Sequence, residues 1–103
     1  MHSLAMTTCP DREHAGRLAG LILDKRLAAC VSIVPGVTSR YWWKGELQEG
    51  TELLLIIKTT AAMLKELEKT VKENHPYELP EFLVLDAKGS KEYLGWLSAE
   101  TKS

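Results

Sequence analysis

The stretch AACVSIVPGVTSRYWW, residues 28–43, reads as β-strand over an unusual length. Its β-branched and aromatic residues alternate with period two: Val31, Ile33, Val37, Tyr41 and Trp43 share one parity, and Cys30, Ser32 and Val34 the other. Pro35-Gly36 interrupts the run, and such a pair inside a strand marks a bulge or an edge. A strand of 16 residues rises roughly 50 Å at ~3.3 Å per residue, whereas a domain of this size has a radius of gyration of only ~13 Å. The strand must therefore bend or project beyond its own core. Its far end carries Tyr41, Trp42 and Trp43, three of the seven aromatic residues in the chain. Adjacent aromatics on a strand point to both faces, so both faces need cover, and a partner subunit is the economical source of it.

The remaining chain fits around this strand. Leu4–Thr8 is a candidate first strand, closed by Pro10 and by Asp11 as helix N-cap. Ala15, Leu18, Ala19 and Ile22 fall at helical spacing, so a helix is expected to about Lys25. Gly16 and Gly20 lie four apart in it, which points either to close packing or to tolerated surface glycines. Lys44–Gly50 is polar with two glycines and reads as a turn or long hairpin tip, followed by a central strand over Thr51–Thr59 that is apolar on both faces. Thr59-Thr60 offers the next N-cap, and Leu64, Leu67 and Val71 line a second helix that Pro76 ends. Phe82–Leu85 is a fourth strand, and Tyr93, Leu94, Trp96 and Leu97 indicate a short final helix. The order is β-α-β-β-α-β with a helical tail: an α+β, ferredoxin-like sandwich with a long β2–β3 hairpin, residues 1–103 forming one domain.

Composition excludes several classes of function. The chain has 103 residues, 13 basic and 14 acidic, with a net charge of −1 and the signs interspersed. Such a balance argues against nucleic acid as a partner. The longest apolar run, Leu53–Ile57, is far short of a membrane span, so no membrane insertion is expected. With no export signal in view, the expected location is the cytoplasm, and Cys9 and Cys30 are expected as thiols. Many activities use this fold, so site residues must decide. A metallochaperone would carry two cysteines close together on the first loop, but Cys9 stands there alone. An RNA-recognition domain would show aromatics on its first and third strands, and these have none. An acylphosphatase-like site needs a basic phosphate loop after the first strand, where this chain has Asp11.

The segments TTCPD (7–11), KRLAACVSIVPGVTSRYWWKGE (25–46), IIKTT (56–60), NHPYELPE (74–81) and YLGWL (93–97) together resemble the CutA divalent-cation tolerance family, in order and across almost the whole chain. The resemblance implies a ferredoxin-like domain assembled into a homotrimer through long strands, with Tyr41, Trp42 and Trp43 at the trimer interface. It implies tolerance of divalent metal ions, copper among them, and no enzymatic reaction. It also implies two alternatives: a PII-like trimer sensing a small anionic metabolite between subunits, and a non-catalytic structural or anchoring trimer.

Carried over residue by residue, the bacterial copper site of the family places its cysteine at Thr7 and its paired histidines at Asn74 and His75. Only His75 matches, with Cys9 as the nearby thiol, and these two are the candidate metal ligands. Lys58, Tyr77, Glu81 and Trp43, the last from a neighbouring subunit, are the implied ligand-cleft residues. Plainer roles stand beside these: His75 capping a helix end, Lys58 paired with Glu81, Cys9 buried and inert, Cys30 in the core, and His2 and His14 at the surface.

Overall fold

The computed structural model describes residues 1–103 and has the expected element order. Strand β1 spans His2–Cys9, helix α1 Arg12–Asp24, β2 Cys30–Trp43, β3 Glu46–Thr60, α2 Leu64–Glu73, β4 Leu83–Ala87 and α3 Lys91–Glu100. The four strands form one antiparallel sheet in the order β2-β3-β1-β4. This is the ferredoxin-like arrangement, with the long β2–β3 hairpin and the C-terminal helix in place.

Helices α1 and α2 cover one sheet face. Ala15, Leu18 and Ile22 of α1 and Leu67 and Val71 of α2 meet Ala5, Cys9, Leu53, Leu55 and Ile57 of the strands in one buried cluster. The start of α1 is set by Asp11, whose Oδ1 accepts the His14 N–H at 2.8 Å. Its end is set by Arg26 in the left-handed region (φ 56°), which lets Leu27 N–H return to the Ile22 carbonyl at 3.1 Å. Helix α2 is entered differently from the expectation. Thr60 makes no side-chain cap bond; it still pairs with His2 in the sheet, and Ala61 N–H donates to the Met1 carbonyl at 2.9 Å. That helix stops at Glu73, with Asn74 Nδ2 donating to the Thr70 carbonyl, two residues before Pro76.

The hairpin departs from the sequence reading at its tip. Residues 44–50 are not an open tip. Lys44 (φ 51°) and Gly45 (φ 81°) alone make the turn, and two positive-φ residues match the twist of the flanking strands. Glu46–Gly50 therefore pairs with Ser39–Trp43, and Arg40 meets Glu49 across the ladder at 3.2 Å. At Pro35-Gly36 the expected bulge is present: the register shifts between Val34↔Leu54 and Val37↔Glu52. One extra residue on β2 reverses sidedness beyond that point. Val31 and Ile33 face the helices, whereas Val37, Tyr41 and Trp43 lie on the opposite face, with Glu52.

On that opposite face α3 covers only one end, where Tyr93 lies over Lys58 and Ser98 bonds His2. Cross-strand pairing puts Leu4 and Met6 of β1, Leu54 and Ile56 of β3, and Leu83 and Leu85 of β4 side by side on it. Leu83 is 58% and Leu85 53% exposed. The ribbon beyond residue 52 makes the molecule 44 Å long against 23 Å and 22 Å in its other dimensions.

Gly16 and Gly20 do not mark close packing, since a Cβ at either would meet nothing within 4 Å. Each therefore costs helix propensity without a packing return. Gly16→Ala and Gly20→Ala are each expected to stabilise the fold by about 0.5–1 kcal/mol, measured by denaturant unfolding at fixed protein concentration. A loss of stability in both would show that α1 is covered by something else.

Candidate functional site

Where the ribbon leaves the sheet, the segment between α2 and β4 folds up against it and encloses a groove of about 810 Å3. Ser39, Tyr41 and Trp43 of β2, Glu52 of β3 and Thr8 of β1 form its floor, and Pro76–Glu81 forms its lip. The bulge makes this possible by turning Tyr41 and Trp43 to the side of Glu52 and Thr8.

His75 and Tyr77 fasten the lip. His75 Nε2 lies 2.6 Å from the Thr8 carbonyl, which only accepts, so this nitrogen carries the proton. The other ring nitrogen, Nδ1, accepts the Tyr77 N–H at 3.1 Å. Both nitrogens of His75 are thus engaged in structure. Tyr77 Oη donates to Glu52 Oε2 at 2.7 Å, and its ring lies 4.8 Å from that of His75.

The electrostatics follow from this burial. Burial opposes the charge of Glu52, but the nearby hydroxyls of Ser39, Tyr77 and Thr8, with Tyr77 donating directly, outweigh it and hold Glu52 below the usual range. Burial and the bond to Glu52 push the Tyr77 phenol up. Glu81, half-buried and facing Glu52, is pushed up by burial first and by that neighbouring charge second. Burial, then the carboxylates of Asp11 and Glu52, push the Cys9 thiol up to about 11. A helix N-terminus does not activate this cysteine.

The structure brings Tyr77, Glu81 and Trp43 to one groove, and it does so within a single chain. Lys58 is not among them. It lies six residues beyond Glu52 on β3, roughly 20 Å along the strand, and makes no ion pair with Glu81. Its Nζ sits 5.9 Å from the Tyr93 ring centroid. Cys30 is half-buried on the open sheet face beside Lys58, with Sγ 3.9 Å from Ser32 Oγ, and does not belong to the core. His2 bonds Ser98 and His14 bonds Asp11 near the surface. Glu52, Ser39 and Thr8 were not anticipated; the one available signal was that Glu52 is the lone acid at the mouth of an apolar strand.

Cys9 Sγ lies 4.0 Å from His75 Nε2, but the thiol is fully buried and stays protonated, and the imidazole is committed at both nitrogens. Thr7 is fully buried with its hydroxyl unpaired, and the Asn74 amide is spent on Thr70. No three His, Cys, Asp or Glu side chains gather closely enough to hold a metal. As arranged in one chain, these residues do not form a metal centre.

The family model for the CutA1 divalent ion tolerance protein matches residues 3–100. The chain belongs to this family. It is 46% identical over 102 residues to the divalent-cation tolerance protein CutA of Thermus thermophilus, covering 98% of this chain and 99% of that one. It is 49% identical over 96 residues to the chloroplastic protein CutA 1 of Oryza sativa, covering 92% of this chain but spanning only 54% of the rice protein's length. Among solved structures, the Thermus thermophilus Cut A1 superposes with a TM-score of 0.95 over 99% of this chain and 100% of that one. A CutA described as periplasmic, from Archaeoglobus fulgidus, superposes with a TM-score of 0.95 at 36% identity over the same shares. The names of CutA relatives thus include chloroplastic and periplasmic proteins, and no helix of this chain is long and apolar enough to cross a membrane.

Two outcomes check the site. With a thiol pKa of about 11, about one Cys9 in a thousand is ionised at pH 8. Iodoacetamide should therefore leave Cys9 unmodified in the folded protein and label it in denaturant, as read by peptide mass spectrometry. Tyr77→Phe should cost about 1 kcal/mol of stability at neutral pH by removing a bond to a carboxylate. Glu52 is held low in the fold, so its contribution is present above its unfolded pKa and lost as pH falls through the folded one. The gap between wild type and Tyr77→Phe should therefore close on acidification; a gap independent of pH would assign the loss to packing.

Proposed function

We propose that the chain serves divalent-cation tolerance as a homotrimer that binds a small ligand in the groove under the ribbon, and that it performs no reaction of its own. The observation that carries this reading is the groove itself, placed where the projecting ribbon needs a neighbour. A site between subunits lets binding and assembly influence one another.

Two features support assembly. Trp42 is 74% exposed in the single chain, and Leu83 and Leu85 stand more than half exposed on the part of the sheet face that α3 leaves open. Exposed apolar surface of that extent marks an interaction face. Relatives named for divalent-cation tolerance support the physiological role. Copper held by His75 and Cys9 is a less favoured form, since His75 Nε2 would first have to leave the Thr8 carbonyl.

One observation favours a second reading. Lys58 lies half-buried on the open sheet face with no carboxylate partner, a place where an anionic metabolite between subunits would be met by an ammonium, as in a PII-like sensor. Thermal shift across anionic metabolites, with Lys58→Ala as control, tests it.

The main reading is checked in two ways. Replacing Trp42 and Trp43 by Ser should dissociate the assembly in sedimentation, and an unchanged trimer would refute the interface. Titrating copper into wild type and His75→Ala should give equal affinities. A marked loss in His75→Ala would instead make His75 a metal ligand and displace the groove reading.

A further inference from the structure

We infer that the groove takes a small organic ammonium cation, bound by Glu81 and Glu52 between the aromatic walls of Tyr41 and Trp43. The inference rests on the groove being the ligand site, as proposed above, and adds the chemical class of the ligand.

The charge balance comes first. Three carboxylates, Glu52, Glu78 and Glu81, line the groove, and the one basic residue on it is Arg40. Arg40 is already directed at Glu49 on the outer ladder, 3.2 Å away. Glu52 receives the Tyr77 hydroxyl, a neutral donor that stabilises its charge without cancelling it. Glu81 has no cation within ion-pair distance, although it is half-buried and faces a second carboxylate. A cleft with excess charge of one sign and partly apolar walls concentrates ligands of the opposite sign. An anionic ligand would meet Glu52, Glu78 and Glu81 with only a committed arginine to receive it.

The shape of the charge then separates an organic cation from a metal ion. A hard divalent ion needs several oxygen ligands converging at about 2.0–2.6 Å, and no such convergence exists here. The glutamates are instead spread around a cavity of about 810 Å3, far larger than an ion. Aromatic faces are the complementary feature, since the ring quadrupole attracts soft, weakly hydrated cations. One wall already displays this attraction: the chain's own Lys44 Nζ stands 5.7 Å from the Trp43 ring centroid.

The test uses the full chain, with tryptophan fluorescence and calorimetry as readouts. The probes are choline, its neutral tert-butyl analogue of the same shape, and citrate. Choline should bind and perturb the tryptophans, with the neutral analogue about tenfold weaker or more and citrate without effect. Glu81→Gln should weaken choline about tenfold and leave the neutral analogue unchanged. Choline keeps its charge at all pH values, so its loss on acidification reports the protein's carboxylates. In the wild type that loss should begin above the ordinary glutamate range, because Glu81 is raised; this measurement stands even where Glu81→Gln fails to fold. Equal binding of choline and its neutral analogue would overturn the ammonium assignment while leaving the groove as a ligand site. Tighter binding of citrate would overturn it likewise. Silence from all three probes would overturn the groove itself, with a neighbouring subunit closing it.

Discussion

The length of β3 is the constraint on which the rest of this molecule depends. β1 pairs with it only from Leu53 to Thr60, so the half from Glu46 to Glu52 has β2 as its sole strand partner. A bare two-stranded ribbon is marginal in water. This one is held by a tight two-residue turn, by the Arg40–Glu49 pair and by the lip segment that Tyr77 ties to Glu52. The groove is thus a by-product of supporting the ribbon: the chain that returns from α2 to β4 is the nearest material available, and it closes over the point where β1 stops.

The polar groups at that point are ordered by how much water they lose. Cys9 loses all of it and stays a neutral thiol. Glu52 loses part of it and keeps its charge because three hydroxyls replace the water. Glu81 loses part of it with no replacement, and it is the group left seeking a counter-charge. His75 belongs to the structural side of this division. It joins the Thr8 carbonyl to the Tyr77 amide, so the lip and the end of β1 move as one piece.

Much of the fold was legible because local rules and burial agreed. The apolar spacing of α1, the Asp11 cap, the two-sided apolar run of β3 and the order of elements along the chain all follow from period and turn chemistry. The misreadings arose where pairing overrode local preference. Lys44–Gly50 is polar and glycine-bearing, yet its last five residues are strand because they face Ser39–Trp43. Thr60 has the chemistry of a cap but is still held in the ladder by His2. Lys58 and Glu81 suit each other in charge, but Glu81 sits beside Glu52, six residues along β3 from Lys58. The site was half legible. Tyr77, Glu81 and Trp43 carry the family pattern, whereas Glu52 and Thr8 join them only through cross-strand register, which no local pattern records.

Pro35-Gly36 carries a consequence for how this architecture can change length. Sidedness in a ribbon is a matter of odd and even, and the single extra residue here is what lets an inward-facing strand become an outward-facing wall. Adding two residues to each outer strand would lengthen the groove by one further row of side chains on the same side. Adding one residue to β2 alone, anywhere inboard of Val37, would restore the original parity and send Tyr41 and Trp43 to the back of the ribbon. Insertions in this hairpin should therefore be tolerated in even steps and disruptive in odd ones, a counting rule imposed by the pleat and indifferent to which residues are inserted.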